Sequence, residues 1–163
     1  MIKQKDFGKS SIDIELYEYV IQNFDDSKVI LEFGSGDGST KYFSQIYKIY
    51  SIEHNLDYID RYADSNYIFA PLKDGWYDID IVKKSVSGIH YDLIIVDGPP
   101  RESRYGFIKH YDIFNRHVPI IIDDYHRDIE KQMVDLLITK YGKKIIHHVT
   151  SSSNKQFVVL ENK

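Results

Sequence analysis

Apolar residues change their period repeatedly along this chain, and each change marks an element. Ile12, Leu16, Tyr19, Val20 and Phe24 recur at three- and four-residue spacing behind Ser10 and Ser11, two hydroxyl residues suited to capping. That pattern predicts a helix ending near Asn23. Residues 29–33 and 49–53 are short β-branched runs, and the segment 39–47 between them is compatible with helix. A second helix is expected over 56–64, a third strand over 67–72 stopped at Pro71-Leu-Lys-Asp-Gly75, and a short helix over 78–87. Residues 91–97 (YDLIIVD) and 118–123 (VPIIID) show no alternation, as strands buried on both faces of a parallel sheet do. Between them 103–114 reads as helix. Residues 128–141 form a clear amphipathic helix stopped by Gly142. The strands 144–150 and 156–161 are joined by the polar turn Ser151-Ser-Ser-Asn154, too short for a crossover helix, so they must pair antiparallel.

Strand and helix thus alternate five times before a terminal hairpin. The expected class is α/β, a doubly wound, mostly parallel sheet with helices on both faces and one antiparallel strand near an edge. Its 163 residues are enough for one domain with a substantial core. No repeat or linker divides them, so 1–163 is expected to be one domain, with 1–25 an N-terminal helical segment and 26–163 the core. Cysteine is absent, which excludes disulfides, thiolate metal sites and thiol nucleophiles. No apolar run approaches the roughly 20 residues that span a bilayer, and no signal-peptide pattern opens the sequence. A cytoplasmic address without membrane insertion is therefore expected. The net charge of −4, with no basic block longer than Lys143-Lys144, gives no footprint for nucleic acid.

The chemistry concentrates at the ends of the apolar runs. Residues 29–33 lead into Gly34-Ser35-Gly36-Asp37-Gly38, and the second run closes on Glu53. Glycines after a first strand let the chain turn sharply and let a ligand approach bare backbone. A carboxylate at the end of the second strand is placed to accept hydrogen bonds from ribose hydroxyls. The dinucleotide fingerprint G-x-G-x-x-G would need glycine at position 39, where Ser39 stands, and Glu53 follows Gly38 by 15 residues instead of the usual ~20. No G-x-x-x-x-G-K-[ST] phosphate loop occurs.

The order E-x-G-x-G-x-G from Glu32 to Gly38, then a strand-terminal acid, resembles the class I S-adenosylmethionine (SAM)-dependent methyltransferases along almost the whole chain. The resemblance implies a Rossmann-like seven-stranded sheet in the order 3-2-1-4-5-7-6, with SAM as cofactor. Its implied contacts are Glu32, Gly34, Ser35, Gly36, Gly38, Glu53, His54 and Asp97, with Lys73 or Asp74 toward the adenine. Trp76 lies near that region, as a stacking wall or as a core anchor. His147-His148 have no acidic companions and suggest no metal site.

Asp97 ends the fourth expected strand and Asp123-Asp124 end the fifth. Carboxylates closing adjacent strands would be neighbours in space, and three of them repel unless a cation joins them. An all-oxygen set suits a hard ion, Mg²⁺ before Mn²⁺ or Ca²⁺. These residues resemble the metal-binding Asp and Asp-Asp of divalent-metal-dependent O-methyltransferases. The string YDLIIVDGPP, then Arg104-Tyr105, then Ile121-Ile-Asp-Asp124, is also similar to small bacterial methyltransferases of surface-polysaccharide modification. The resemblance implies O-methylation of a small hydroxylated acceptor such as a saccharide. In this reading Asp97 is catalytic, His126 is the base because its intrinsic pKa lies near neutrality, and Arg101 binds an anionic acceptor. Tyr105 and Tyr125 are candidates to line the acceptor cleft, and a homo-oligomer could complete it. Two alternatives stay open: a noncatalytic SAM-binding subunit, and an N-methyltransferase, although Asp97-Gly-Pro-Pro100 matches the amino-methylating N/D-P-P-Y/F motif only superficially.

Overall fold

The computed structural model describes residues 11–163. Seven strands form one sheet: β1 (Val29–Phe33), β2 (Lys48–Glu53), β3 (Asn66–Phe69), β6 (Leu93–Val96), β7 (Ile120–Ile122), β8 (Lys143–Thr150) and β9 (Gln156–Asn162). Two short strands, β4 (Leu72–Lys73) and β5 (Trp76–Tyr77), make a separate hairpin. Across the sheet the order is β3-β2-β1-β6-β7-β9-β8. Counting only its own strands, that is 3-2-1-4-5-7-6, the order the resemblance implies. β2, β3, β6 and β7 run parallel to β1 or to one another, and β9 lies antiparallel between β7 and β8. The chain therefore reverses direction across the sheet at β1/β6, where the loops after neighbouring strands diverge and leave a crevice.

Strand alternation divides the core into two layers. Leu31, Phe33, Ile94, Val96, Ile120 and Ile122 face the layer covered by α3 (Ile79–Ser87), α4 (Gly106–Lys109) and α5 (Asp128–Thr139). Ile30, Ile49, Leu93, Ile95, Ile121 and Val159 face the layer covered by α1 (Ile14–Asn23) and α2 (Ser39–Phe43). The uninterrupted apolar runs of β6 and β7 are thus consumed by helices on both sides.

Several elements are shorter than the sequence suggests. Helix α1 begins at Ile14 behind Asp13, and Ser11 does not cap it; Ser10 lies outside the described residues. α2 stops at Phe43, four residues before the expected end. The helix expected over 56–64 is one 3-10 turn, Leu56–Tyr58, followed by Asp60 at φ 56°, a left-handed conformation that no helix continues. The strand expected over 67–72 ends at Phe69, because Pro71 offers no ladder donor. The chain then turns at Asp74-Gly75 (φ 52° and 85°), the paired left-handed geometry of a tight hairpin, which pairs Lys73 with Trp76. Trp76 is a core anchor, packed on Phe33 at 5.8 Å between ring centroids. The segment 103–114 is not one helix but α4 flanked by 3-10 turns, Arg101–Tyr105 and Tyr111–Ile113. The first of these turns carries Arg104, whose contacts define the site.

Candidate functional site

All the chemistry-bearing strand ends open into one cavity of about 770 Å³. One end is built from the glycine turn. Gly34 leaves β1 at φ 85°, and a Cβ there would stand 2.8 Å from Gly98 Cα. A Cβ on Gly98 would meet Gly34 Cα at 2.6 Å. The two loops after β1 and β6 therefore touch backbone to backbone, which no side chain would permit. Glu53, 3% exposed, ties this turn down: one carboxylate oxygen accepts from the Ser35 amide (2.9 Å) and hydroxyl (3.1 Å). Its other oxygen accepts the amides of His54 (2.6 Å) and Asn55 (2.7 Å). The His54 ring lies against the same oxygen, Nδ1 at 2.9 Å, without hydrogen-bond alignment.

The other end is acidic. Ligand oxygens of Asp97, Asp123 and Asp124 lie within 4.8 Å of one another. Into this cluster the chain inserts Arg104, itself only 3% exposed. Its guanidinium donates to the carbonyls of Pro99 (3.4 Å), Asp123 (3.4 Å) and Asp97, and to Asp124 Oδ2 (3.2 Å). It also lies 3.5 Å from Asp97 Oδ1 and 2.9 Å from Glu130 Oε1, the latter at the head of α5 and 1% exposed. Arg127 adds a second cation at 2.8 Å from Asp124 Oδ2. Asp124 therefore spends its carboxylate on two arginines instead of capping α5. Burial depresses the arginine's pKa, but Asp97, Glu130 and Asp124 outweigh it and hold the charge in place.

Two arginines and the more weakly acting Lys155 do not balance four carboxyls. Burial, opposed by Arg104 and reinforced by Asp124, pushes Asp97 up to about 7. Burial and its two aspartate neighbours raise Asp123 well above the usual carboxylate range. Asp123 Oδ2 and Asp124 Oδ1 are buried without a hydrogen-bond partner among the described residues. The set is all-oxygen, short of positive charge and carries unspent lone pairs, so it fits a hard divalent cation.

The sequence candidates divide accordingly. Gly34, Ser35, Glu53, His54, Asp97, Arg101 and Asp124 line the cavity. Asp123 is buried immediately behind it. Glu32, Gly36, Gly38, Lys73 and His126 are not among its walls. Glu32 faces the opposite layer, fully buried, where Thr40 and Ser51 each donate to one oxygen at 2.7 Å. Burial lifts its carboxyl to about 7, and its role is to join β1, β2 and α2. Gly36 donates its amide to Thr40 Oγ1, and Gly38 precedes α2. Lys73 sits exposed on the small hairpin, 3.5 Å from Asp78. His126 is exposed and is not a wall, although Asp124 before it and Arg127 after it are. Tyr105 and Tyr125 are likewise not cavity walls, whereas Tyr58 and Tyr77 are.

Sequence reasoning gave Arg104, Glu130 and Tyr77 no role. A signal for the first two exists. Arg104, Phe107, Ile108 and Tyr111 follow the spacing of an apolar stripe, as do Glu130, Met133, Val134 and Leu137. A charge at the head of each stripe is a buried charge, and two of opposite sign are a pair.

The sequence matches no protein-family model and no curated protein. Solved structures do match. Precorrin-6y C5,15-methyltransferase from Geobacter metallireducens GS-15 superposes with a TM-score of 0.66 at 13% identity, covering 100% of this chain and 98% of that one. The O-methyltransferase TomG from Streptomyces achromogenes, solved in complex with SAM, gives 0.60 at 12%, covering 85% and 74%. A point mutant of MtNAS gives 0.60 at 16%, covering 91% of this chain. This chain spans 58% of the length of MtNAS. The likeness at such identities is one of fold, and the fold is the Rossmann-like methyltransferase fold.

Proposed function

We propose that this protein is a SAM-dependent O-methyltransferase acting on a small hydroxylated acceptor, such as a sugar unit of a surface glycan. One observation carries the reading: a single cavity joins a glycine turn braced by Glu53 to the buried acid cluster of Asp97, Asp123 and Asp124. The first end suits an adenosyl ligand, with Gly34 and Ser35 offering close backbone approach and Glu53 beside the ribose position. The second suits a hydroxyl. SAM when bound supplies a methyl group on cationic sulfur. Asp97, which lines the cavity, takes the place of the exposed His126 as the residue that meets the acceptor hydroxyl, through the cation when one is bound. Asp97, Asp123 and Asp124 would hold Mg²⁺, which supplies charge that lowers a hydroxyl pKa. Arg104 holds the carboxylates of Asp97 and Asp124 together and anchors the Asp123 carbonyl. Arg101 and Arg127 at the rim orient an acceptor that carries negative charge. The net charge of −4 speaks against nucleic acid as substrate. A second copy of the chain, as a wall over the open side of the cavity, belongs to the same proposal.

Calorimetric titration with S-adenosylhomocysteine, with Mg²⁺ and after chelation, tests the reading. Micromolar binding is expected in both conditions. Mn²⁺ binding, followed by electron paramagnetic resonance, should be present in the wild type and lost in Asp123→Asn. An absence of nucleoside binding in both conditions would refute the function. Methyl transfer to hydroxylated acceptors that survives in Asp97→Ala would refute the assignment of the acid cluster.

A further inference from the structure

Tyr77 is the one residue of the small hairpin that reaches the cavity wall. It is 1% exposed, and its ring is held by Phe33 and Trp76 at 6.0 and 5.6 Å between centroids. The ring therefore cannot swing its hydroxyl out to solvent. The hydroxyl sits over the place where the two loops touch, since a Cβ on Gly98 would lie 2.8 Å from Tyr77 Oη. The His54 ring stands edge-on to it at 6.0 Å. The hydroxyl thus lies between Glu53 and Asp97, at the junction of the two ends of the cavity. It has no hydrogen-bond partner among the described residues.

A buried, unpaired hydroxyl is costly, and a fixed ring holds this one within the cavity wall. Burial and the surrounding carboxyls also keep it protonated, because they raise its pKa well above that of a free phenol. A protonated phenol is a donor and needs a lone pair opposite it. We infer that Tyr77 is a cofactor-binding residue whose hydroxyl donates a hydrogen bond to an oxygen or nitrogen of the adenosyl ligand beside the Gly34–Gly98 contact. The inference rests on the proposed function above and adds a residue from outside the glycine turn. It also explains the hairpin, whose tight Asp74-Gly75 turn carries Tyr77 back from the end of β3 to the centre of the sheet.

The test is Tyr77→Phe, which keeps the ring and removes only the donor. The readouts are S-adenosylhomocysteine affinity by calorimetry and thermal unfolding of the ligand-free protein. The dissociation constant should rise about five- to fifteen-fold, the equivalent of one neutral hydrogen bond. The ligand-free melting temperature should hold or rise, because the phenylalanine strands no polar group. An affinity within twofold of wild type would overturn the assignment. So would a fall in ligand-free melting temperature accompanying the lost affinity, since that result describes a purely structural hydroxyl. If wild-type protein does not bind the nucleoside at all, the proposed function itself fails and this assignment falls with it. The two failures are therefore distinguishable.

Discussion

Replacing Arg104 with methionine tests whether that guanidinium is the counter-charge of the acid cluster. The substitution keeps the apolar stem and removes the cation. The three carboxylates it serves are not equally exposed to the loss. Asp97 borders the cavity with its side chain 19% exposed, and Asp124 keeps Arg127 at 2.8 Å. Glu130 is 1% exposed, and Arg104, 2.9 Å from its Oε1, is the cation that acts on its carboxylate most strongly, with Arg127 a weaker second. Stranding one partner of a buried ion pair costs about 3–5 kcal/mol. Glu130 can limit the damage by taking a proton, and the pH sets how much that costs. From its ordinary pKa of 4.5, protonation at pH 8 costs about 5 kcal/mol and at pH 5 about 1 kcal/mol, at 1.36 kcal/mol per unit. The variant's Glu130 has a folded pKa raised above the unfolded value. Its penalty is therefore absent at low pH and grows as pH rises from about 4.5 toward the folded value. Urea unfolding should show Arg104→Met losing about 3–5 kcal/mol at pH 8 and about 1 kcal/mol at pH 5, a fall in Tm of roughly 6–20 °C at the higher pH. Adding Glu130→Met should recover part of the loss. A loss below about 1 kcal/mol at pH 8, or an equal loss at both pH values, would refute the pairing.

Glu32 provides a second pH signature. Its carboxyl, raised from 4.5 to about 7, holds a proton in the fold that the unfolded chain has released, so wild-type stability should fall by up to about 3 kcal/mol as pH rises through that window. Glu32→Gln should flatten the dependence in urea unfolding between pH 5 and 8, and an unchanged slope would contradict the burial argument. Gly98→Ala drives a Cβ to 2.6 Å from Gly34 Cα, backbone against backbone, and should cost about 1–3 kcal/mol. Gly36→Ala, whose Cβ meets nothing within 4 Å, should stay within about 1 kcal/mol of wild type; equal losses in the pair would show that the loop contact is not tight.

The strands and their surroundings were legible in the chain because burial on both faces leaves a signature that no other element shares. Residues 29–31, 93–96 and 120–122 are apolar without interruption, and β1, β6 and β7 lie at the centre of the sheet. The acids Glu53, Asp97, Asp123 and Asp124 were visible for a related reason: each ends such a run, and a parallel sheet gathers those ends on one edge. The short helix expected over 78–87 is present as α3, but two others were misread. The pattern over 56–64 and 103–114 is helical in period, but tertiary contacts and left-handed residues such as Asp60 cut both segments short. Lys73 and His126 also follow strand ends, but neither is a wall of the cavity, because proximity in sequence to a strand end does not fix where a side chain points.

Local sequence thus dictates where the backbone is extended, which strand ends carry charge, and that a glycine turn opens the sheet, because these depend on residue type and near neighbours. Which charges neutralise one another was decided only when the loops were brought together. Arg104 lies seven residues from Asp97, 20 from Asp124 and 26 from Glu130, and only folding places it within 3.5 Å of all three. The same holds for Tyr77, which a two-strand hairpin delivers to a contact between Gly34 and Gly98. Coulomb and hydrogen-bond energies depend on distance and burial, and neither exists for such pairs until the chain is closed.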